Sequence, residues 1–357
     1  MKKLPESTQK ILQLAACIGD KFTLDVLSIV NQKSLVSTAK ELDAALQTGL
    51  ILPLNEAYKI PLVFDDNIEE DENDKKYQQF YKINLESNIA RVGYRFLHDR
   101  VQQAAYSFIP ESEKQATHFK IGQLLLKQTA PELLSENILD IVNQLNIGVD
   151  LISEQTEKDE LARLNLRAGK KAKAASAYET AIKYFNIAWT IVDNDDWHNN
   201  YELILNLHIE AAEAEYLYGN FDKSKKLGTL ALQNTNTILD KVRIYEIQIQ
   251  SSIAQNLMSE ALELGVQVLK ILGVRLPTEP KTQHILASAL QTKLYLAKKR
   301  IEDLAYLPRM TDAYKLAAMK ILMLIAPAAS MGGSLYFPLS VFAMVGLSVK
   351  HGNSSAA

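Results

Sequence analysis

The sequence predicts a mainly α-helical protein in which a small helix-and-strand domain precedes a long array of paired helices. Two observations lead to this prediction. The first 129 residues show short amphipathic helical stretches followed by short β-branched runs. From residue 130 onward, helical periodicity is nearly continuous, and a pattern of small and large residues recurs. We therefore predict two domains, at residues 1–129 and 130–357.

Composition sets the first limits on function. The chain has 357 residues, of which 47% are hydrophobic, so it can build a sizeable core. The 39 Lys and Arg residues nearly balance 42 Asp and Glu residues, which does not indicate a polyanionic partner. The single cysteine, Cys17, excludes an internal disulfide, and its apolar neighbours predict a buried thiol rather than a nucleophile. The N-terminus lacks the apolar core of a signal peptide, so we expect a cytoplasmic protein.

Three helices are predicted in the N-terminal domain. Apolar residues recur at helical spacing in Leu4–Ile18, and Gly19 ends this helix. Thr23 is the predicted N-cap of a short second helix, and either Ser34 or Ser37 caps a third.

Short strands follow these helices. Leu50–Leu54 predicts one strand, Tyr77–Leu85 a weaker one and Val92–Leu97 a better one. Between them lies Asp65–Lys76, which has seven acids in twelve residues and is predicted to be a solvated, disordered insertion. Three helices followed by a small hairpin predict a winged helix.

A winged helix raises the hypothesis of DNA binding. Its candidate recognition helix, Ser34–Gln47, offers only Lys40 as a cation, against Glu41 and Asp43. Because contacts from Lys and Arg to phosphate dominate DNA affinity, we expect no nucleic-acid partner.

The centre of the chain resembles a known group of proteins. The residues that carry this resemblance lie at a predicted strand–helix junction and just after it: Phe96, Leu97, His98, Asp99, Val101, Tyr106 and His118. This pattern resembles the winged-helix end of the module in signal-transduction ATPases with numerous domains. The longer stretch is similar to large cyanobacterial multi-domain sensor kinases, and the resemblance runs from Leu4 to about Asn353.

The resemblance implies a role for His98 and Asp99. It implies that His98 approaches the phosphates of bound ADP and that Asp99 fixes the local turn. An imidazole N–H is a suitable donor to phosphate. However, the chain has no P-loop, because its single Gly-Lys pair, Gly169-Lys170, is followed by Lys171 instead of Ser or Thr. The alternative is that His98 only hydrogen-bonds within the junction. His118, on an apolar helix face, is predicted to be a core histidine.

The C-terminal part carries a tetratricopeptide-like pattern. Its marker positions Ala181, Ser224 and Ala261 are 43 and 37 residues apart, which predicts lengthened or divergent repeats. In such arrays small residues let paired helices approach, and the stacked pairs form a solenoid with a concave surface. Four aromatic residues in this part are predicted to fill the core rather than to line that surface: Tyr178, Tyr184, Trp189 and Tyr216.

Two apparent sites in the repeats do not have the residues that their chemistry needs. The acids of 193–196 suggest a calcium loop, but His198 replaces the turn glycine and Ile204 the bidentate Glu. Glu210, Glu213 and Glu215 share one helix, where we expect a solvated edge rather than an acid–base pair.

The uncharged run Ile321–Val349 is the strongest candidate for a membrane span. Pro327, Gly332-Gly333 and Pro338 interrupt it, which favours two buried helices over one span.

These observations together predict a non-catalytic regulatory or scaffold segment of a large signal-transduction kinase. Binding of a protein or peptide on the repeats would be relayed to an adjacent ATPase or kinase module of the same polypeptide. We expect no cofactor or metal in this chain, whereas the resemblance implies ATP or ADP and magnesium in the full-length parent, a histidine or Ser/Thr kinase. The alternatives are a free-standing helical-repeat adaptor and a fragment of an ATPase-type transcriptional regulator. The absence of a polar cap and of a P-loop leads us to expect a piece of a longer protein.

Overall fold

The computed structural model describes residues 3–59, 92–192, 197, 199–297 and 300–354. The chain is mainly helical, as predicted, and its helical pairs are consistent with an α-solenoid. It forms two compact units, Met1–Ala168 and Gly169–Ala357. The division falls within one helix, Gln155–Ala174, and each unit is described separately below.

The first unit combines a small sheet with helices. Its elements are, in order, α1 (Glu6–Ile18), β1 (Lys21–Thr23), α2 (Leu24–Asn31), α3 (Leu35–Gln47), β2 (Ile51–Pro53), β3 (Gly93–Phe96), α4 (Asp99–Ser107), α5 (Glu111–Gln128), α6 (Leu134–Ile147) and the start of α7 (Gln155–Ala174). Glu56–Lys59 and Val149–Leu151 are short 3₁₀ turns. The strands form an antiparallel sheet in the order β1-β3-β2, with Phe22 opposite Tyr94 and Leu52 opposite Arg95.

The sheet and the first three helices share one core. Ile11 and Leu12 of α1 and Leu27 of α2 are fully buried in it. The ring of Phe22 stacks on that of Tyr94, with 5.7 Å between centroids. Burial of large aromatic and aliphatic side chains on one side of a short sheet fixes its register.

Most of the predicted N-terminal elements are confirmed. The side chain of Ser34, and not that of Ser37, caps α3 by accepting the N–H of Ser37. Strand β1 was not predicted, because three residues that lead directly into a helix give no alternating pattern. Thr23 precedes α2 but makes no capping hydrogen bond. The predicted strand at 77–85 and the acidic insertion at 65–76 lie outside the described residues.

The second unit consists of helical pairs. After the end of α7 come α8 (Tyr178–Ile191), α9 (Tyr201–Tyr218), α10 (Phe221–Asn234), α11 (Ile238–Ala254), α12 (Met258–Ile271), α13 (Thr282–Leu296), α14 (Ala313–Met331) and α15 (Tyr336–His351). A short 3₁₀ turn spans Ile301–Tyr306.

Three of these helical pairs share one turn geometry. In each turn a residue with positive φ is followed by a residue with φ near −90° and ψ near +60°, and these pairs are Ser176-Ala177, Gly219-Asn220 and Asn256-Leu257. The turns recur after 43 and then 37 residues, which is the spacing of the marker positions Ala181, Ser224 and Ala261. The sequence periodicity therefore corresponds to a repeated local structure.

Small residues let the paired helices approach closely. A Cβ atom on Gly169 of α7 would lie 2.3 Å from a ring carbon of Phe185 on α8, so only glycine fits there. Ala181 and Ala188 of α8 are fully buried. A Cβ on Gly265 would likewise lie 2.3 Å from Ile325. The predicted alternation of small and large residues thus corresponds to helix–helix contacts.

The uncharged C-terminal run forms two helices, α14 and α15, as predicted. The prediction that Pro327 interrupts the run is wrong, since Pro327 lies inside α14, and the helix ends only before Gly332. Among the described residues, Ala313–Met331 is one helix long and apolar enough to cross a membrane, and half of its apolar window is buried inside the protein.

Candidate functional site

His98 and Asp99 lie at the junction between β3 and α4. His98 is the N-cap residue of α4, and its carbonyl accepts the N–H of Val101 at 2.8 Å, but its side chain makes no capping hydrogen bond. Leu97, His98, Asp99 and Arg100 are all exposed. The turn is held by the backbone, because the N–H of Leu97 donates to the carbonyl of Leu50 at 3.0 Å. The junction therefore presents the imidazole and carboxylate to the surroundings of the first unit.

A second histidine, His118 of α5, is buried as predicted, with 4% of its surface exposed. Its Nε2 lies 3.0 Å from the hydroxyl of Tyr106 on α4, and its Nδ1 lies 2.7 Å from Oε1 of Gln144 on α6. Nε2 of Gln144 donates to the carbonyl of Cys17, near the end of α1, at 2.9 Å. We call these four residues the neutral network.

The directions of two hydrogen bonds in the neutral network follow from its last member, the carbonyl of Cys17. A carbonyl oxygen only accepts, so the amide nitrogen of Gln144 must face Cys17 and its oxygen must face His118. Nδ1 of His118 therefore carries a proton and donates to Gln144, while Nε2 pairs with the hydroxyl of Tyr106. The network thus satisfies a carbonyl in the last turn of α1, which has no partner within its helix.

Cys17 itself is buried, which confirms the predicted inert thiol. Burial raises the pKa of the thiol to about 12, although the charge of Lys114 acts in the opposite direction. The protonated thiol is a poor nucleophile at neutral pH.

The prediction of a solvated carboxylate edge on α9 is wrong. Glu210 and Glu215 are each only 5% exposed. Nζ of Lys173 lies 2.5 Å from a carboxylate oxygen of Glu210 and also pairs with Glu213, while Lys170 lies 3.4 Å from Glu210. Neighbouring helices cover this face of α9, and the lysines that compensate the acids lie on α7. We call Lys170, Lys173, Glu210, Glu213 and Arg243 the ionic cluster; Arg243 lies 3.8 Å from Glu210.

The pKa values in this cluster reflect two opposing effects. Burial favours the neutral carboxyl, but hydrogen bonds and charges from Lys173 and Lys170 outweigh it and lower the pKa of Glu210. Burial likewise opposes the charge of Lys173, yet its bonds to Glu210 and Glu213 raise its pKa. Both partners are therefore held in their charged forms, and neither is poised to transfer a proton near neutral pH.

A cavity of about 790 Å³ in the second unit is a groove lined by residues of α8, α9 and α10 and by Trp197. The residues that line it are Ile182, Phe185, Asn186, Trp189, Trp197, His208, Ala211, Glu215, Lys223, Lys226, Leu227, Leu230 and Asn234. We call this cavity the tryptophan groove, because it contains both tryptophans of the chain.

The imidazole of His208 lies between the two indoles. Its centroid is 4.3 Å from that of Trp189, in an edge-to-face arrangement, and 5.0 Å from that of Trp197. Nδ1 of His208 lies 2.9 Å from the carbonyl of Ile204, which fixes Nδ1 as a donor. Burial lowers the pKa of His208 despite this hydrogen bond, so the ring is neutral at pH 7.

One of the four aromatic residues predicted to fill the core, Tyr184, is buried. Trp189 instead lines the groove, and Tyr178 and Tyr216 are partly exposed. Sequence reasoning missed Trp197 and His208, because they lie on different segments and meet Trp189 only after folding. The rejected calcium loop at 193–196 lies outside the described residues. Within the described ranges, no three His, Cys, Asp or Glu side chains are grouped as metal ligands would be.

No protein-family profile matches the chain, and no solved structure matches it. The chain is similar to hybrid signal transduction histidine kinase G of Dictyostelium discoideum, with 26% identity over 302 residues. The similar region covers 77% of this chain but only 9% of that kinase, so the chain spans less than a tenth of its relative's length. This distant similarity supports a signalling-related role.

Proposed function

We propose that this chain is a non-catalytic regulatory segment of a larger signal-transduction kinase. In this proposal a partner binds to the helical repeats, and the N-terminal domain relays that binding to an adjacent nucleotide-dependent module. The similarity to a short region of a much longer histidine kinase supports this role. We also propose that residues 1–129 form a winged-helix domain and that residues 130–357 form tetratricopeptide-like repeats. The order and pairing of β1, β2 and β3 support the winged helix.

The neutral network is the observation that carries the relay. It joins α6, the first helix of the proposed repeat domain, to α1, α4 and α5 of the proposed winged helix. The amide of Gln144 can face only one way, because the carbonyl of Cys17 only accepts, so a displacement of α6 breaks buried hydrogen bonds. In this proposal the network changes between two arrangements when a partner binds, as a relay requires.

The output of the relay is proposed to pass through His98 and Asp99. These residues follow β3 directly and are exposed, so they are accessible to a ligand held by another module. A neighbouring ATPase module with a P-loop would supply the nucleotide and magnesium, and His98 would donate to a phosphate of ADP.

This role of His98 can be tested in the full-length protein. We expect His98→Ala to speed the release of bound ADP and to raise basal signalling, because one phosphate contact is lost. Gln103→Ala, an exposed change on the same helix, is the matched control. Release of ADP at the wild-type rate from the His98→Ala protein would contradict the nucleotide-sensing role.

The second candidate is a free-standing adaptor that binds a peptide through its repeats. The tryptophan groove favours it, since the groove needs no nucleotide module to be complete. In a pull-down with this chain alone, a partner retained after residues 1–125 are removed would support the adaptor over the relay.

A further inference from the structure

The tryptophan groove differs in charge from a second cavity on the other side of α10. In the tryptophan groove, Glu215 is the one carboxylate among the described lining residues, and it accepts the side-chain amide of Asn220 at 2.5 Å. Lys223 lies 3.9 Å from Glu215, and Lys226 has no ion-pair partner among the described residues. The second cavity, of about 320 Å³, carries three acids, Asp222, Glu260 and Glu263, around the single cation Lys225. Among their described lining residues, the tryptophan groove has two lysines against one carboxylate, whereas the second cavity has one lysine against three carboxylates.

The edge of the tryptophan groove on α10 is exposed. Leu230 is 50% exposed, and the side chain of Lys223 is 68% exposed. A small molecule enclosed by the cavity would leave this surface uncovered, whereas an extended chain covers the cavity and its edge together. Tryptophan side chains in such a groove are typical anchors of protein interfaces.

We propose that the tryptophan groove binds a segment of a protein partner in which an aromatic or large aliphatic side chain adjoins acidic residues. The apolar side chain packs against the groove walls at Trp189, Trp197 and Leu227, and the acids pair with Lys223 and Lys226. Neutral His208 adds no charge to this site. The inference rests on the proposed function, because it assigns the place and the chemistry of partner binding on the repeats.

The probe is a library of random peptides displayed on phage and selected on the full 357-residue chain. We expect enriched peptides to combine a large apolar residue with neighbouring Asp or Glu. Because both tryptophans lie in the groove, binding of a synthetic enriched peptide is followed directly by a change in tryptophan fluorescence.

Charge reversal at adjacent lysines separates this site from general electrostatic attraction. Lys226→Glu should lower the affinity for the enriched peptides by about tenfold, since it places a negative charge beside their acids. Lys225→Glu makes the same change in net charge on the same helix but faces the second cavity, so it should change affinity by less than about twofold. Both positions are exposed, and we expect both variants to fold.

Four outcomes would overturn the proposal: no enrichment, enrichment of basic peptides, equal losses in the two variants, or no loss in either variant. If the peptides bind both variants as tightly as they bind the wild type, this groove is not their binding site. That result would not exclude a partner site elsewhere on the repeats. The relay through the neutral network is tested separately, so failure of one experiment does not decide the other.

Discussion

The two compact units each bury polar groups, but they compensate them in opposite ways. The neutral network of the first unit joins a phenol, an imidazole, an amide and a backbone carbonyl by a chain of hydrogen bonds. The ionic cluster of the second unit instead holds two carboxylates with lysines and an arginine. Burial alone therefore does not indicate a role. Glu210 of the ionic cluster has three cationic neighbours, whereas the Cys17 carbonyl and Nδ1 of His118 both depend on the single side chain of Gln144.

The largest expected effect is in the ionic cluster. Lys173→Met leaves the carboxylates of Glu210 and Glu213 without their shared cation, and removing one partner of a buried pair costs about 3 kcal/mol of unfolding free energy. Urea unfolding of the full chain measures this loss. Lys183→Ala, which removes an exposed pair with Glu179, should cause no measurable loss of stability. Equal costs for the two variants would show that the cluster is not effectively buried.

A smaller effect is expected in the neutral network. Gln144→Met replaces the amide side chain with one of similar size that has no amide donor or acceptor. The Cys17 carbonyl and the Nδ1–H of His118 then have no partners, which should lower the unfolding free energy by about 2 kcal/mol. The control is Gln123→Met, an exposed change on α5, with no measurable effect expected. If Gln144→Met matched its control in urea unfolding, a replacement partner for both groups would have to exist.

The smallest effect is a pH dependence. Burial lowers the pKa of His208 below its ordinary 6.5, so the unfolded chain binds more protons at this site than the folded chain. Unfolding free energy should therefore fall as pH decreases below about 6.5. His208→Asn keeps an N–H donor for the Ile204 carbonyl and removes the titrating ring. The wild type should lose more stability than this variant between pH 7.5 and 5.5, and parallel losses would contradict the assignment.

Local patterns in the sequence predicted much of the fold. Helical spacing predicted α1 and α3, and the recurrence of Ala181, Ser224 and Ala261 corresponds to a repeated turn. The same reasoning failed for Glu210, because Lys173, which compensates its charge, lies 37 residues away on another helix. No local signal indicates such a partner.

The two candidate sites were predictable to different degrees. His98 was recognisable because its neighbours in the chain form the motif. The tryptophan groove was not, because Trp189, Trp197 and His208 come from separate segments that only helix packing brings together. Sites built from one stretch of chain can be predicted from sequence, whereas sites built across helices need the fold.

We propose that the neutral network transmits a signal, whereas the ionic cluster only stabilises the fold. Basal activity of the proposed longer kinase tests this difference when Gln144→Met and Lys173→Met are compared. We predict that Gln144→Met raises basal activity, because it uncouples α6 from α1, and that the more destabilising Lys173→Met leaves activity unchanged. Activity that follows the loss of stability in both variants, or that stays at the wild-type level in Gln144→Met, would contradict the claim.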